Sequence, residues 1–147
     1  MKIDWNFKTF SDLSTIELYD ILNIRQRVFI IEQNCNYLDA DNYDQFSHHL
    51  TASHNGKIIA YLRVVDKGFI YPDISFGRIL VDDKYRGLGI GKKIMTKALK
   101  KFDNKTTIST ADFVAHEQIK YVNLSPLTAP VTTQPVFTFV GETGIRV

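Results

Sequence analysis

Thiol is nearly absent from this chain: Cys35 is the one cysteine in 147 residues. No internal disulfide can form and no set of thiols offers a zinc site, which suits a reducing cytoplasm. Long apolar runs are missing as well. No stretch approaches the roughly 20 residues of a membrane span, and Met1-Lys2-Ile3-Asp4-Trp5 lacks the apolar core of a secretion signal. The expected location is cytoplasmic, with no membrane partner. Charge of either sign is not in excess, because 18 Lys and Arg face 16 Asp and Glu. A net charge of +2 is too small to imply nucleic acid as a partner. Proline is scarce, yet Pro126, Pro130 and Pro135 crowd one segment and forbid long regular structure between 124 and 136. What remains is ordinary: 44% hydrophobic and 23% charged residues in a length that suits one domain over 1–147 with a sizeable core.

Against that background, Arg86-Gly87-Leu88-Gly89-Ile90-Gly91 stands out. It lies between an apolar run, Ile74 to Val81, and a lysine-rich amphipathic stretch, Lys92 to Phe102. A glycine-rich turn between strand and helix leaves backbone N–H groups bare and can cradle phosphate at a positive helix end. Two nucleotide templates miss. A P-loop needs Ser or Thr after Gly-Lys, where Lys93 stands, and Arg86 occupies its first glycine position. A dinucleotide fingerprint needs a third glycine where Lys92 stands. A tight turn that merely caps the helix is the structural alternative.

Residues 3 to 10 approximate strand alternation through Ile3, Trp5, Phe7 and Phe10. Ser14-Thr15-Ile16-Glu17 is a capping box that starts a helix. The positions Ile16, Leu18, Tyr19, Leu22, Val28 and Phe29 predict one buried face through about residue 30. From Glu32 to Phe46 no period survives, which predicts a long loop, and its Asp39, Asp41 and Asp44 would attract a cationic ligand. His48 to Ser53 and Lys57 to Val65 flank His54-Asn55-Gly56, a hairpin signal. Adjacent His48 and His49 point to opposite faces of a strand, so they cannot clamp one metal ion. Ile74 to Val81 reads as a further strand. Ile90, Ile94, Ala98 and Phe102 predict a helix face on the sheet, with Lys92, Lys93, Lys97, Lys100 and Lys101 wet or drawing phosphate. Thr106 to Thr110 reads as a strand, His116 to Val122 as a short helix and Val136 to Val140 as a last strand. The pattern predicts an α/β (α+β) domain with a mixed, mostly antiparallel sheet flanked by helices.

Arg86, two residues, Gly89, one residue and Gly91 resembles the acetyl-coenzyme A pyrophosphate loop of the GNAT acetyltransferases. The string Arg25-Gln26-Arg27-Val28-Phe29-Ile30-Ile31-Glu32-Gln33-Asn34-Cys35, with Tyr37, Asp39, Asp41, His49-Leu50, Ala60-Tyr61-Leu62-Arg63 and Gly77-Arg78-Ile79-Leu80-Val81, is similar to the ElaA-like branch of that family. The resemblance implies the GNAT fold and acetyl transfer from acetyl-CoA to an amine, in a small molecule or a peptide, without metal. It places Ile79, Leu80 and Val81 beside the pantetheine arm. The amides of Arg86, Gly87, Leu88, Gly89, Ile90 and Gly91 would then hold the pyrophosphate.

Such chemistry needs a base for the amine and an acid for the thiolate. Glu32 is the candidate base, with a structural pairing to Arg25, Arg27 or a backbone amide as the alternative. Tyr121, five residues beyond His116 as in the family, is the candidate acid; a tyrosine packed on the sheet is the other reading. The tail departs from the family pattern, with Val114 in place of glutamine and a Glu142-Thr143-Gly144-Ile145-Arg146-Val147 ending. That motivates one rival, a degenerate coenzyme A-binding module; a second rival is an acyltransferase for a longer acyl chain, which would need a wider apolar channel. The expected assembly is a monomer or homodimer.

Overall fold

The computed structural model describes residues 1–72, 74–102, 110–112 and 122–123. A six-stranded sheet runs in the order β1 (Asp4–Thr9), β2 (Ser47–His54), β3 (Lys57–Val65), β4 (Ser75–Val81), β5 (Thr110–Asp112) and β6 (Val122–Asn123). All pairings are antiparallel except β4 with β5, so the expected mixed, mostly antiparallel sheet is present. Helix α1 (Thr15–Arg25) packs on one face and helix α2 (Ile90–Phe102) on the other.

Local chemistry explains the elements. The hydroxyl of Ser14 accepts from the Glu17 amide at 3.2 Å and the Glu17 carboxylate accepts from the Ser14 amide at 2.8 Å. That is the predicted capping box. Asn55 and Gly56 take φ of 49° and 75°, positive at both central residues as the tightest hairpin turns require. On the α2 face, Ile90, Ile94, Met95, Ala98 and Phe102 bury against Leu62, Val64, Phe76 and Val81. On the α1 face the core is smaller and joins Ile21, Ile24, Val28 and Phe29 to Tyr61 and Leu80.

Several expectations need correction. Ile16 and Tyr19 are 71% and 67% exposed, so the buried face of α1 is set by Ile21, Ile24 and Arg25 instead. A π-helical segment, Gln26–Glu32, follows α1. Val28 and Phe29 reach the core as expected, seven and eight residues after Ile21 on the same face. Two α2 lysines are not simply wet: the Lys97 and Lys101 ammonium groups lie 5.1 Å and 5.5 Å from the ring centroids of Trp5 and Phe7. Val122 is in a strand rather than ending a helix. The first residues of the strand expected at 106–110, most of the helix expected at 116–122 and the strand expected at 136–140 lie outside the described residues.

The long loop is the largest surprise. Apart from a 3₁₀ turn at Asp44–Phe46 it is irregular, as expected, but its aspartates turn inward. Arg25, fully buried on α1, donates to Asp39 at 2.8 Å and to Asp44 at 2.7 Å. Arg63 on β3 donates to both oxygens of Asp41 at 2.7 Å and to Asp44 at 2.8 Å. Arg78 on β4 donates to Asp39 at 2.6 Å and to Asp41 at 3.1 Å. Three guanidinium groups thus meet three carboxylates. The loop aspartates are spent inside the fold and do not form a surface for a cationic acceptor.

His49 lies beneath this cluster. Its Nε2 donates to the Asp44 carbonyl at 3.0 Å, which leaves Nδ1 to accept from the Tyr61 hydroxyl at 2.8 Å. His48 points the other way, stacked on Phe7 with centroids 5.6 Å apart.

Burial works against charge throughout the cluster, and the partners decide the outcome. Burial pushes the Asp41 carboxyl up, but hydrogen bonds and charge from Arg63 outweigh it and bring the group down to about 2. Asp44 is likewise held below its usual range by Arg25 and Arg63 against burial. Burial pulls His49 below its ordinary value. All three groups bind protons more readily in the unfolded chain, so each loses stability as pH falls. Stability should be flat between about pH 7 and 9, erode gently below about 6.5 as His49 protonates in the unfolded state, and fall steeply below about pH 4. Urea unfolding across pH 3 to 8 checks this; equal stability at pH 7 and pH 3 would contradict it. Asp44→Ala, which strips Arg25 and Arg63 of a shared partner, should cost about 3–5 kcal/mol in the same assay at pH 7.

Candidate functional site

Strand β4 carries a bulge where it approaches the glycine loop. Between the pairs Arg63 with Gly77 and Tyr61 with Leu80, β3 advances two residues and β4 three. Arg78 takes the slack at φ 52°. A non-glycine residue there costs about 1–3 kcal/mol, which its ion pairs to Asp39 and Asp41 offset. The extra residue puts Phe76, Ile79 and Val81 together in the α2-side core and leaves Leu80 on the α1 side.

The strand then delivers the chain to the loop. The Asp82 amide donates to the Ile59 carbonyl at 2.9 Å, and the Asp82 side chain accepts from Lys84 at 3.2 Å to start a 3₁₀ turn, Asp83–Tyr85. Gly87 and Gly89 follow at φ 76° and 73°. A Cβ built on either would meet nothing within 4 Å. The glycines are therefore required by backbone conformation, and the space above them is open to a ligand.

Helix α2 begins at once. The Lys93 amide donates to the Gly89 carbonyl at 3.1 Å, so the amides of Ile90, Gly91 and Lys92 in the first turn have no partner within the helix. No acidic residue offsets the positive end of the helix dipole, and the exposed Lys92 and Lys93 add to it. Helices favour acids there. Two lysines with bare amides and a concave glycine turn make a site for an anion with more than one charge.

Two ion pairs tie this loop to the π-helical segment. Arg27 pairs with Asp82. Arg86 donates to Glu32 through Nη1 at 2.5 Å and Nη2 at 2.9 Å, while its Nε donates to the Val81 carbonyl at 3.0 Å. Hydrogen bonding to Glu32 raises the Arg86 guanidinium further above its ordinary value. Arg86 thus uses three of its five side-chain N–H groups as a strut between the π-helical segment and the end of β4.

The sequence-predicted cofactor residues Ile79, Leu80, Val81 and Arg86 to Gly91 are contiguous around the end of β4 and the start of α2. Glu32 joins them through Arg86, a partner not among those expected for it. Tyr121 and His116 lie outside the described residues. Sequence reading missed the tie between Arg27 and Asp82 and the cluster around Arg78. The pairing of charged residues across 55 positions leaves no local signal, although all the arginines involved fall within the matching strings. Separately, α1 and strands β1 to β3 enclose a recess of about 280 Å³ lined by Lys8, Glu17, Asp20, His49 and Thr51. Among the described residues, none of the predicted site residues lines it.

Known proteins are similar to this chain in sequence and fold. Residues 16–119 match the model of the acetyltransferase (GNAT) family. The UPF0039 protein sll0451 of Synechocystis sp. is 40% identical over 102 residues, 69% of this chain and 66% of that protein. The chain thus spans just under two thirds of that relative's length. A crystal structure of an acyl-CoA N-acyltransferase from Pseudomonas aeruginosa is 36% identical, covering 69% of this chain and 71% of that one, with a TM-score of 0.67. The crystal structure of Escherichia coli ElaA is 31% identical over 71% of this chain and 72% of that one, also with a TM-score of 0.67. A bulged strand, a glycine loop and a lysine-rich helix start, set in this sheet and matched over residues 16–119, identify the chain as a member of the GNAT acetyltransferase family.

Proposed function

We propose that the chain is an N-acetyltransferase, one domain over residues 1–147, that transfers the acetyl group of acetyl-CoA to an amine in the cytoplasm. The observation that carries this is the start of α2: unpartnered amides, two positive-φ glycines and two lysines at one point of the surface. A pyrophosphate supplies the charge such a site is short of. The relative from P. aeruginosa, described as an acyl-CoA N-acyltransferase, supports the same reading.

In the proposed reaction the amine nitrogen attacks the thioester carbonyl, the new N–C bond forms as the C–S bond breaks, and the thiolate takes a proton. The backbone of Ile79, Leu80 and Val81 lies along the pantetheine arm, and the amides of Arg86 to Gly91 hold the pyrophosphate. Tyr121 is the proposed acid. Glu32 is the proposed base, though both its oxygens accept from Arg86, so it takes a proton only when that pair opens.

The acceptor is a small amine in this reading, rather than a lysine or terminal amine of a peptide. With Asp39, Asp41 and Asp44 paired to arginines, its recognition falls to groups other than the loop carboxylates.

Thiol release with acetyl-CoA and a panel of amines, alongside thermal shift with acetyl-CoA and free coenzyme A, tests the reading. Stabilisation with turnover is expected; stabilisation without turnover on any amine favours the binding module, and no stabilisation defeats both. A preference for longer acyl donors in the same assay would favour the third reading. Gly89→Val, strained at φ 73°, should raise KM for acetyl-CoA about tenfold with a smaller change in kcat. Glu32→Gln separates two roles for that residue. Loss of kcat together with the acid limb of the pH profile marks a base, whereas a raised KM for acetyl-CoA with kcat intact marks a strut for the loop.

A further inference from the structure

We propose that Asp39 is a positioning residue for acetyl-CoA, acting through Arg78 to hold the bulge of β4 in the register that faces the cofactor. The inference rests on the reading of β4 and the glycine loop as the acetyl-CoA site.

The bulge sets which way the strand end faces. Side chains alternate along a strand, so without an extra residue Phe76, Arg78 and Leu80 would share a face. With it, Phe76 shares the α2-side core with Ile79 and Val81, and Leu80 turns to α1. The same shift decides which edge of the strand shows the amides and carbonyls of Ile79 to Val81. Those are the groups proposed to meet the pantetheine arm.

Arginine is a poor choice for the conformation at this point. Glycine adopts φ 52° freely, while a Cβ-bearing residue resists it. What keeps Arg78 there is its guanidinium, which is buried and anchored chiefly on one residue. Its Nε donates to the Asp39 carboxylate at 2.6 Å and its Nη2 to the Asp39 carbonyl at 3.2 Å. Asp39 is itself only 5% exposed and is fixed by Arg25 at 2.8 Å from carboxylate to Nε and 3.0 Å from carbonyl to Nη2. A residue of the long loop, 39 positions before Arg78, thus holds one backbone angle of the strand that leads to the glycine loop.

Two substitutions separate backbone geometry from lost charge. Arg78→Gly and Arg78→Ala remove the same ion pairs, but only glycine accepts the left-handed conformation without strain. Calorimetric titration with acetyl-CoA should give a Kd within about threefold of wild type for R78G and about tenfold weaker for R78A, with both destabilised to urea by similar amounts. Asp39→Asn should weaken binding in the wild-type background and add nothing in the R78G background, because Asp39 acts through Arg78. This pair carries the test if R78A does not fold.

Equal affinity for R78G and R78A would overturn the proposal, as would a D39N penalty undiminished in R78G. If the wild-type protein itself shows no binding of acetyl-CoA, the cofactor reading falls first and the proposal with it. That result is distinguishable because it precedes any variant.

Discussion

Three buried arginines and three aspartates from one loop hold the rest of this molecule in register. Arg25 comes from α1, Arg63 from β3 and Arg78 from β4, and each ends on Asp39, Asp41 or Asp44. Removing such charges from water is costly, and a cluster of this kind holds only when donors and acceptors are matched in number and direction. Here they nearly are: of the guanidinium nitrogens, the Nε of Arg63 is a buried donor left without a partner. The arrangement is therefore better understood as a device for specifying geometry than as a source of stability. It closes an irregular loop of more than ten residues, fixes the tautomer of the buried His49 through the Asp44 carbonyl, and sustains a backbone angle in β4 that arginine would otherwise leave.

From that cluster the structure reaches the glycine loop by two routes. One runs along β4, through the bulge at Arg78 to Val81, whose carbonyl accepts from Arg86. The other runs along the π-helical segment that begins immediately after Arg25 and offers Arg27 to Asp82 and Glu32 to Arg86. Both meet at the residues before the loop. A site built largely of backbone amides, with Lys92 and Lys93 beside them, depends on how that backbone is placed. Charged struts from two elements are a way to hold it.

Much of this was legible in the sequence where the signals are local. The capping box at Ser14, the turn at Asn55-Gly56, the stripe of α2 and the glycine spacing each follow from a rule that spans a few residues, and each appears where expected. What the sequence hid is long-range. Asp39, Asp41 and Asp44 look like a solvent-facing acidic loop until the three arginines that cover them are brought from as far as 39 positions away. On α1 the apolar Ile16 and Tyr19 compete with the true stripe, Ile21, Ile24, Val28 and Phe29, because that stripe includes a buried arginine, Arg25, which reads as polar in the sequence. Glu32 stands out in the sequence through the family string, but its partner Arg86 lies 54 positions on and belongs to the loop itself.

The central claim is that acetyl-CoA lies along the end of β4 and across the start of α2. Titration of acetyl-CoA into ¹⁵N-labelled protein, followed through backbone amide shifts, tests it most directly. The account predicts saturable shifts confined mainly to Ile79 to Val81 and Gly87 to Lys93, with the glycine amides moving most. Shifts centred instead on the recess between α1 and β1 to β3, around Lys8, Glu17 and Thr51, or no saturable shifts at all, would contradict it.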